Sequence, residues 1–480
     1  MPSPIPQPKG LPILGNLFDL DGNNPWGSFN KLAAQYRPIF KISILGHEIV
    51  FVTGAALLEE ICDETRFRKC VAGPIVEIRA AVHDSLFTAY HSEMEAWGVA
   101  HRIMSPMVSA EAIEQIFGDL LESTDDLIAK WTATPRQRVD IVNDLDRNNH
   151  IANMSAFFHQ RLRCQEGPEP AIIAAMQDAT TESMRRTSRP KFLTWLFYQR
   201  KWDADIRIMR DYCADIVATR RAAASEEEEE EQQQPPPKDI LHALLHGTDP
   251  QTGKSLTESQ VLDEIINLFI GSATAPNLVA FALYYLLKNP QEIEHARQEI
   301  DAVVGGAGGP LTHAHLAAQL PYCEAILRET LRLSAPAPGF NIEPIPSPSG
   351  TQELPPPPVL LAGGEYQVPR TQPLIALLTA VNRDPAVFDD PEAFRPARMV
   401  GEKYAQLPAG VKKGFGNGTR ACFGTRYAWT WSLLCLVRVL QEVDLELADA
   451  SYEVTTEGRN YNGAFSTRPV GFFAVASARK

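Results

Sequence analysis

The stretch Phe415-Gly-Asn-Gly-Thr-Arg-Ala-Cys-Phe-Gly424 places one cysteine in a glycine-rich turn, directly before an apolar helical run through Ala428, Trp429, Trp431, Leu433, Leu434 and Val437. Backbone N–H groups and the positive end of a helix dipole favour thiolate over thiol there, and glycines let the backbone approach the sulfur closely. Cys422 is therefore a candidate thiolate ligand, against the plainer reading of a structural cysteine. Three further patterns accompany it. Glu329 and Arg332, three apart in Ala325-Ile-Leu-Arg-Glu-Thr-Leu-Arg-Leu333, share a helix face. Taken alone they are an ordinary ion pair worth ~0–1 kcal/mol. Trp97 and His101, four apart, share another face. Thr274, in Ile270-Gly-Ser-Ala-Thr-Ala-Pro276, lies in a long apolar run, where a threonine by itself usually bonds the preceding turn.

These side chains must be positioned by a large, mostly helical chain. Its 480 residues would allow about three domains by length, but helical enzymes also build around one cofactor, and residues 1–480 read as one unit. Apolar residues at 44% and charged residues at 22% give a globular balance. A net charge of −14 with no basic stripe speaks against nucleic acid. Seven cysteines, at 62, 70, 164, 213, 323, 422 and 435, form no C-x-x-C pair, and their odd number fits a reducing, cytoplasmic setting. No signal peptide or membrane anchor is written at the N-terminus. Ile265 to Leu287 carries no charge and is long enough to span a bilayer, but Asn267, Ser272, Thr274, Pro276 and Asn277 in its middle suit a central helix lining a cavity. A soluble protein is expected.

Local signals refine this picture. Ile39 to Val52 alternates around a turn and predicts a hairpin. Thr257 and Gln260 have capping-box spacing before the long helix, which should end by Asn289, ahead of Pro290. The Glu, Gln and Pro run within 223–238 predicts a disordered surface loop. Seven prolines between Glu343 and Gly364 predict a hairpin carrying an extended loop. The expected class is mainly α with small β-sheets (α+β).

The Cys422 segment, F-x-x-G-x-R-x-C-x-G, resembles the heme-binding signature of cytochromes P-450 at every defining position. The resemblance implies the P-450 fold around a single heme-centred domain, with Cys422 as axial ligand to the iron of heme b. Heme-thiolate proteins of this type are themselves the standing example of thiolate push favouring O–O cleavage. It further implies that Arg420 meets a heme propionate, that Phe415 packs near the sulfur, and that Gly416 and Gly424 shape the loop. Glu329 and Arg332 look like the E-x-x-R motif. Phe394-Arg-Pro-Ala-Arg398 is similar to the motif that supplies a second arginine, so Arg398 completes a structural triad; Ala397 departs from the usual glutamate. Trp97 and His101 match residues that reach the propionates.

Thr274 matches the threonine of the oxygen-activating segment and is the catalytic candidate. The acid before it is missing, because Ala273 stands there, and Ile270 replaces a small residue. The resemblance is strongest to bacterial and fungal fatty-acid hydroxylases fused to a reductase, over nearly the whole chain. Phe87, Pro338 and Phe340 align with substrate-pocket walls; His47 and Phe51 take the entrance positions of a basic residue and a tyrosine. A histidine only partly cationic near neutral pH and a ring without a hydroxyl make a plain fatty acid a weaker guess than another apolar, specialised metabolite. The chain stops at Lys480, about where the linker to flavin domains begins in such enzymes, and an excised heme domain and a stand-alone relative both stay open. Lys412, Lys413, Arg420 and Arg426 suggest a docking face for a flavin domain.

The leading expectation is a monooxygenase that uses O2 and electrons from NADPH, delivered through FAD and FMN of a reductase, to hydroxylate or epoxidise a small apolar substrate. Ala273 motivates an alternative, a peroxide-driven oxygenase or a heme-dependent rearrangement or dehydration. A non-catalytic heme-binding module is the third reading.

Overall fold

The computed structural model describes residues 2–162, 165, 167–229, 239–346, 357–456, 458–463 and 465–479. Helices dominate, and four small sheets edge them. The first sheet has order β1-β2-β8-β5-β3: β1 (Ile39–Ile44) and β2 (His47–Val52) form the expected hairpin, β2 runs parallel to β8 (Leu374–Leu377), and β5 (Gly339–Pro344) pairs antiparallel with β8 and with β3 (Phe67–Lys69). A second sheet sets β12 (Phe473–Ala478) between β4 (Gln137–Asp140) and β9 (Val443–Leu447). Two-stranded pairs join β6 (Val359–Leu361) to β7 (Tyr366–Val368) and β10 (Tyr461–Asn462) to β11 (Arg468–Pro469).

The proline-rich region divides differently from expectation. Its hairpin is only β6–β7, turned at Ala362–Gly364, whereas β5, which enters the region, belongs to the first sheet. Residues 347–356 of that insertion lie outside the described residues. Residues 223–229 of the expected surface loop instead continue the Gln199–Glu229 helix. Glutamates have good helix propensity, which allows the extension. Residues 230–238 lie outside the described residues.

Eight helices matter for the site: α1 (Met94–Met104), α2 (Ile141–Phe158), α3 (Ala171–Arg186), α4 (Gln199–Glu229), α5 (Glu258–Ser272), α6 (Ala275–Lys288), α7 (Pro321–Leu333) and α8 (Thr425–Glu442). The single long helix anticipated from Thr257 to Asn289 is two. Both ends hold: Thr257 and Gln260 form the capping box, and Asn289 is the C-terminal cap. The break at Ala273–Thr274 follows from Pro276, whose ring lacks an N–H and excludes the carbonyl four residues back. The Ser272 carbonyl is thereby freed, and Asn149 Nδ2 from α2 donates to it at 3.3 Å. The Ala273 carbonyl accepts from Asn277 Nδ2 at 3.1 Å.

The α6 helix is buried nearly all round, as a helix apolar on every face must be. It packs against α2, α7 and α8. The span Glu258–Lys288 is long and apolar enough to cross a membrane, yet 67% of its most apolar window is buried inside the protein. Six cysteines are free among the described residues; Cys164 lies outside them.

Candidate functional site

Cys422 precedes α8 by three residues. Its N–H donates to the Phe415 carbonyl at 2.8 Å, closing the loop, and Gly416 turns it with φ +83°, a conformation that glycine adopts freely. Thr425 Oγ1 donates to the Cys422 carbonyl at 2.8 Å. The Phe415 ring meets Trp429 edge-on at 6.1 Å, fixing the loop to the helix it precedes. Burial raises the Cys422 thiol pKa, and the Gly424 N–H, the Thr425 hydroxyl and the Lys69 charge oppose that rise.

Cys422 nevertheless keeps accessible surface. Lys69 and Arg420 show the same pairing of half-open surface with strong desolvation. Each of the three side chains is therefore partly accessible yet largely shielded from bulk water. Arg420 donates to the carbonyls of Leu86 and Ala89 at 3.3 and 3.1 Å and sits 5.4 Å from the Trp97 ring. Lys69 Nζ donates to the Arg420 carbonyl at 2.9 Å, and its pKa is pushed down to about 8 by burial and by the Arg420 charge. Neither cation has a carboxylate partner among the described residues. Sequence reasoning missed Lys69, since a lone lysine on a three-residue strand carries no local signal.

On α1, Trp97 Nε1 donates to the Leu86 carbonyl at 3.2 Å. The His101 ring stacks on Trp97 at 4.6 Å and meets Phe423 edge-on at 5.8 Å. Its Nδ1 lies 3.2 Å from Ser105 Oγ, and burial followed by the Arg102 charge lowers its pKa. Trp97, His101, Arg420 and the Cys422 loop are thus brought together.

Glu329, Arg332 and Arg398 also meet. Arg332 Nε and Nη2 each donate to Glu329 at 2.8 Å, Arg398 Nε lies 3.4 Å from Glu329 Oε1, and the Arg395 N–H donates to the same oxygen at 2.9 Å. Glu329 has no exposure and Arg332 has 2%. Arg332 also donates to the carbonyls of Asn382, Pro391 and Ala393, so α7 grips the 382–393 loop.

At the helix break, Thr274 Oγ1 donates to the Gly271 carbonyl at 3.0 Å. A Cβ built on Gly271 or on Gly424 would meet nothing within 4 Å. Ile270 and Ala273 line a cleft together with Phe269, Phe465 and Met176. Phe87 meets Phe465 edge-on at 6.2 Å, so Phe465, unmarked in the sequence, joins Phe87 to this wall. The far wall is polar: Asn149, Asn153 and Asn277 are buried, and their side-chain oxygens have no hydrogen-bond partner among the described residues. Asp146 stands beside Arg468 and Gln177, its pKa pushed up to about 7 by burial.

Of four further residues anticipated at the pocket or its entrance, one, Phe51, sits elsewhere. Phe51 is fully buried in a separate cluster, stacked on Phe40 at 4.9 Å and packed on Phe29 at 4.5 Å, so it lines no entrance; a phenyl ring in place of a hydroxylated one has no polar atom to keep it near water. His47 is exposed at the turn end of β2. Pro338 is buried, its carbonyl accepting from Leu378 N–H at 2.9 Å, and Phe340 packs on the cluster beneath the first sheet. Arg420 also leaves the supposed docking face, because its guanidinium points inward to the carbonyls of Leu86 and Ala89.

A family model described as Cytochrome P450 matches residues 5–473. The chain belongs to the cytochrome P450 family. Among curated P450 relatives, the bifunctional cytochrome P450/NADPH–P450 reductase ascE of Acremonium egyptiacum is 34% identical over 99% of this chain and 43% of its own length. The self-sufficient cytochrome P450 monooxygenase CYP505E4 of Penicillium freii is 35% identical over 99% of this chain and 43% of its own. The self-sufficient monooxygenase CYP505E3 of Phanerodontia chrysosporium is 32% identical over 100% and 43%. The chain thus spans less than half the length of these P450 relatives. Heme is the group the family implies, and the residues present fit it. A partly accessible, desolvated thiol stands near two desolvated cations that have no carboxylate partner among the described residues, a donor set that suits an iron and its anionic propionates.

Proposed function

We propose that this chain is the heme domain of a monooxygenase that hydroxylates or epoxidises a small apolar substrate with O2 and NADPH-derived electrons. The observation carrying the reading is the Cys422 thiol just before α8, partly accessible yet desolvated, with the cations Lys69 and Arg420 near it. Cys422 would ligate the iron, and Arg420, Lys69, Trp97 and His101 would hold the propionates. Bound heme supplies oxygen activation, a chemistry that belongs to the cofactor more than to the protein.

The chain's own residues do the rest. Glu329, Arg332 and Arg398 hold the 382–398 segment rigid. Phe87, Phe465 and Ile270 form an apolar wall that excludes water and orients substrate. Thr274 Oγ1, now donating to the Gly271 carbonyl, keeps lone pairs free to accept a proton and can turn to pass one on. FAD and FMN would come from a reductase partner, fused or separate; the name of the ascE relative joins a cytochrome P450 to an NADPH–P450 reductase in that protein.

One observation favours a second reading. Ala273 has no ionisable group, and the adjacent carbonyls are already capped by the amides of Asn149 and Asn277. Peroxide-driven oxidation or rearrangement of a pre-oxidised substrate asks less of a proton donor at this point. A metabolite screen with NADPH and a competent reductase, run in parallel with peroxide, decides between them. Products one oxygen heavier in the NADPH arm support the monooxygenase; turnover with peroxide alone, or isomeric products, overturns it.

A further inference from the structure

Two of the asparagines on the polar wall of the cleft, Asn149 and Asn153, lie four apart on α2 and so share a face, while Asn277 is in the first turn of α6. All three are more than nine-tenths buried. Their amide nitrogens are committed to the protein: Asn149 donates to the Ser272 carbonyl at 3.3 Å, Asn277 to the Ala273 carbonyl at 3.1 Å and to Ser466 Oγ at 2.9 Å, and Asn153 to Ser272 Oγ at 2.8 Å. A carbonyl only accepts, which fixes the nitrogen ends of Asn149 and Asn277. The Ser272 hydroxyl gives its own hydrogen to the Phe269 carbonyl at 3.1 Å, so towards Asn153 it accepts as well. Each amide therefore spends its nitrogen on the α5–α6 break or its neighbour and leaves its oxygen without a hydrogen-bond partner among the described residues.

Buried polar atoms are nearly always paired, so three unpaired ones around a single cleft call for an explanation. All three are acceptors, and only a molecule that brings donors can pair them. The charges of the cleft select against an anion. Its arginine, Arg468, lies 3.5 Å from Asp146 and donates to Gln177 Oε1 at 2.9 Å, so it is already engaged. His150, 2.9 Å from the Tyr212 hydroxyl, is kept neutral by burial, which pushes its pKa down to about 4. Ile270, Phe269, Phe465 and Met176 line the same cleft with apolar surface. A lining of this kind matches a hydrocarbon body that carries O–H groups at one end.

We propose that Asn149, Asn153 and Asn277 form a hydroxyl-recognising subsite, and that the substrate is a neutral amphiphile whose neighbouring alcohols pair these oxygens while its hydrocarbon body lies against Ile270, Phe269 and Phe465. That this ligand is the substrate rests on the monooxygenase reading given above; the subsite itself rests on the cleft alone. A site of buried acceptors discriminates through what it leaves unpaired. A ligand of the same shape without O–H groups strands the three oxygens, and a carboxylate adds acceptors where donors are wanted.

Isothermal titration of the heme-loaded full chain with decane-1,2-diol, its dimethyl ether 1,2-dimethoxydecane, and decanoate tests the proposal. The diol should bind about tenfold or more tighter than either of the others, because it alone brings donors on a matched hydrocarbon. Asn153→Leu should weaken the diol to within about twofold of the ether and leave the ether unchanged. The comparison of ligands on the parent needs no substitution, so it decides even where the variant folds poorly. Equal affinity for diol and ether, which would assign the oxygens to internal water, overturns the proposal. So do tightest binding of decanoate, the absence of binding by all three, or a diol preference that survives in a folded Asn153→Leu. Carbon monoxide difference spectra of the same samples keep the two claims apart: a thiolate-type band without the diol preference removes the subsite alone, whereas the preference without that band upholds the subsite and removes the monooxygenase.

Discussion

Replacing Glu329 by Gln keeps the shape of the side chain and removes one negative charge from the centre of the α7 network. The parent carboxylate accepts two Arg332 bonds at 2.8 Å and one from the Arg395 N–H at 2.9 Å, and Arg398 lies at 3.4 Å. With Glu329 fully buried and Arg332 at 2% exposure, solvent cannot compensate for its loss. Breaking one side of such a buried pair costs about 3–5 kcal/mol, because the surviving cation is left uncompensated. Here two guanidinium groups would face each other, so the upper half of that range applies, against a total stability of roughly 5–15 kcal/mol. The urea midpoint, followed by tryptophan fluorescence, should fall accordingly. Arg332→Met strips donors from the carbonyls of Asn382, Pro391 and Ala393 and should cost a similar amount. The double variant should cost less than the sum of the singles by about 1.5–3 kcal/mol, since it buries no lone charge. A loss below about 1 kcal/mol for Glu329→Gln, or strict additivity, would refute the reasoning.

Further outcomes follow from other parts of the structure. Burial lifts the Glu264 pKa to about 8, with bonds from the Leu86 N–H and Asn267 opposing the rise. The folded state then holds a proton that the unfolded state releases, so this group lowers stability by about 1.4 kcal/mol per pH unit from the ordinary carboxyl range up to about pH 8, and no further above it. Glu264→Gln should therefore gain on the parent as pH rises and plateau near pH 8, and parallel stability–pH curves would show the carboxyl to be charged in the fold. Lys69→Met and Arg420→Gln each remove a cation that has no carboxylate partner among the described residues, and both should speed heme transfer to apomyoglobin about tenfold or more, whereas unchanged transfer would assign these cations to the fold alone. Phe51→Ala should cost about 3–5 kcal/mol of stability while leaving apolar-ligand affinity within about twofold; a larger affinity loss would return Phe51 to the pocket.

The sequence makes the fold class legible because long apolar periodicity and capping spacing are local: Thr257 with Gln260, Asn289 before Pro290, and the alternation of Ile39–Val52 all appear as expected. It misses the break at Ala273–Thr274, although Pro276 announces it, because the helix resumes at once with an equally apolar face. The Cys422 loop and the Glu329–Arg332 spacing stand out because each is written in neighbouring residues. Lys69 and Phe465 do not, since their importance arises only when β3 and the β10–β11 connection fold against distant elements. Phe51 shows the converse error: alignment alone placed it at an entrance, and packing against Phe29 and Phe40 took it into the core.

The central claim is that Cys422 provides a thiolate to heme iron, and carbon monoxide binding to the reduced protein tests it most directly. The purified parent should show the red-shifted Soret band of a thiolate ligand, and Cys422→Ser should lose that band while still binding carbon monoxide. A parent without the shift, or a Cys422→Ser variant that retains it, would contradict the account.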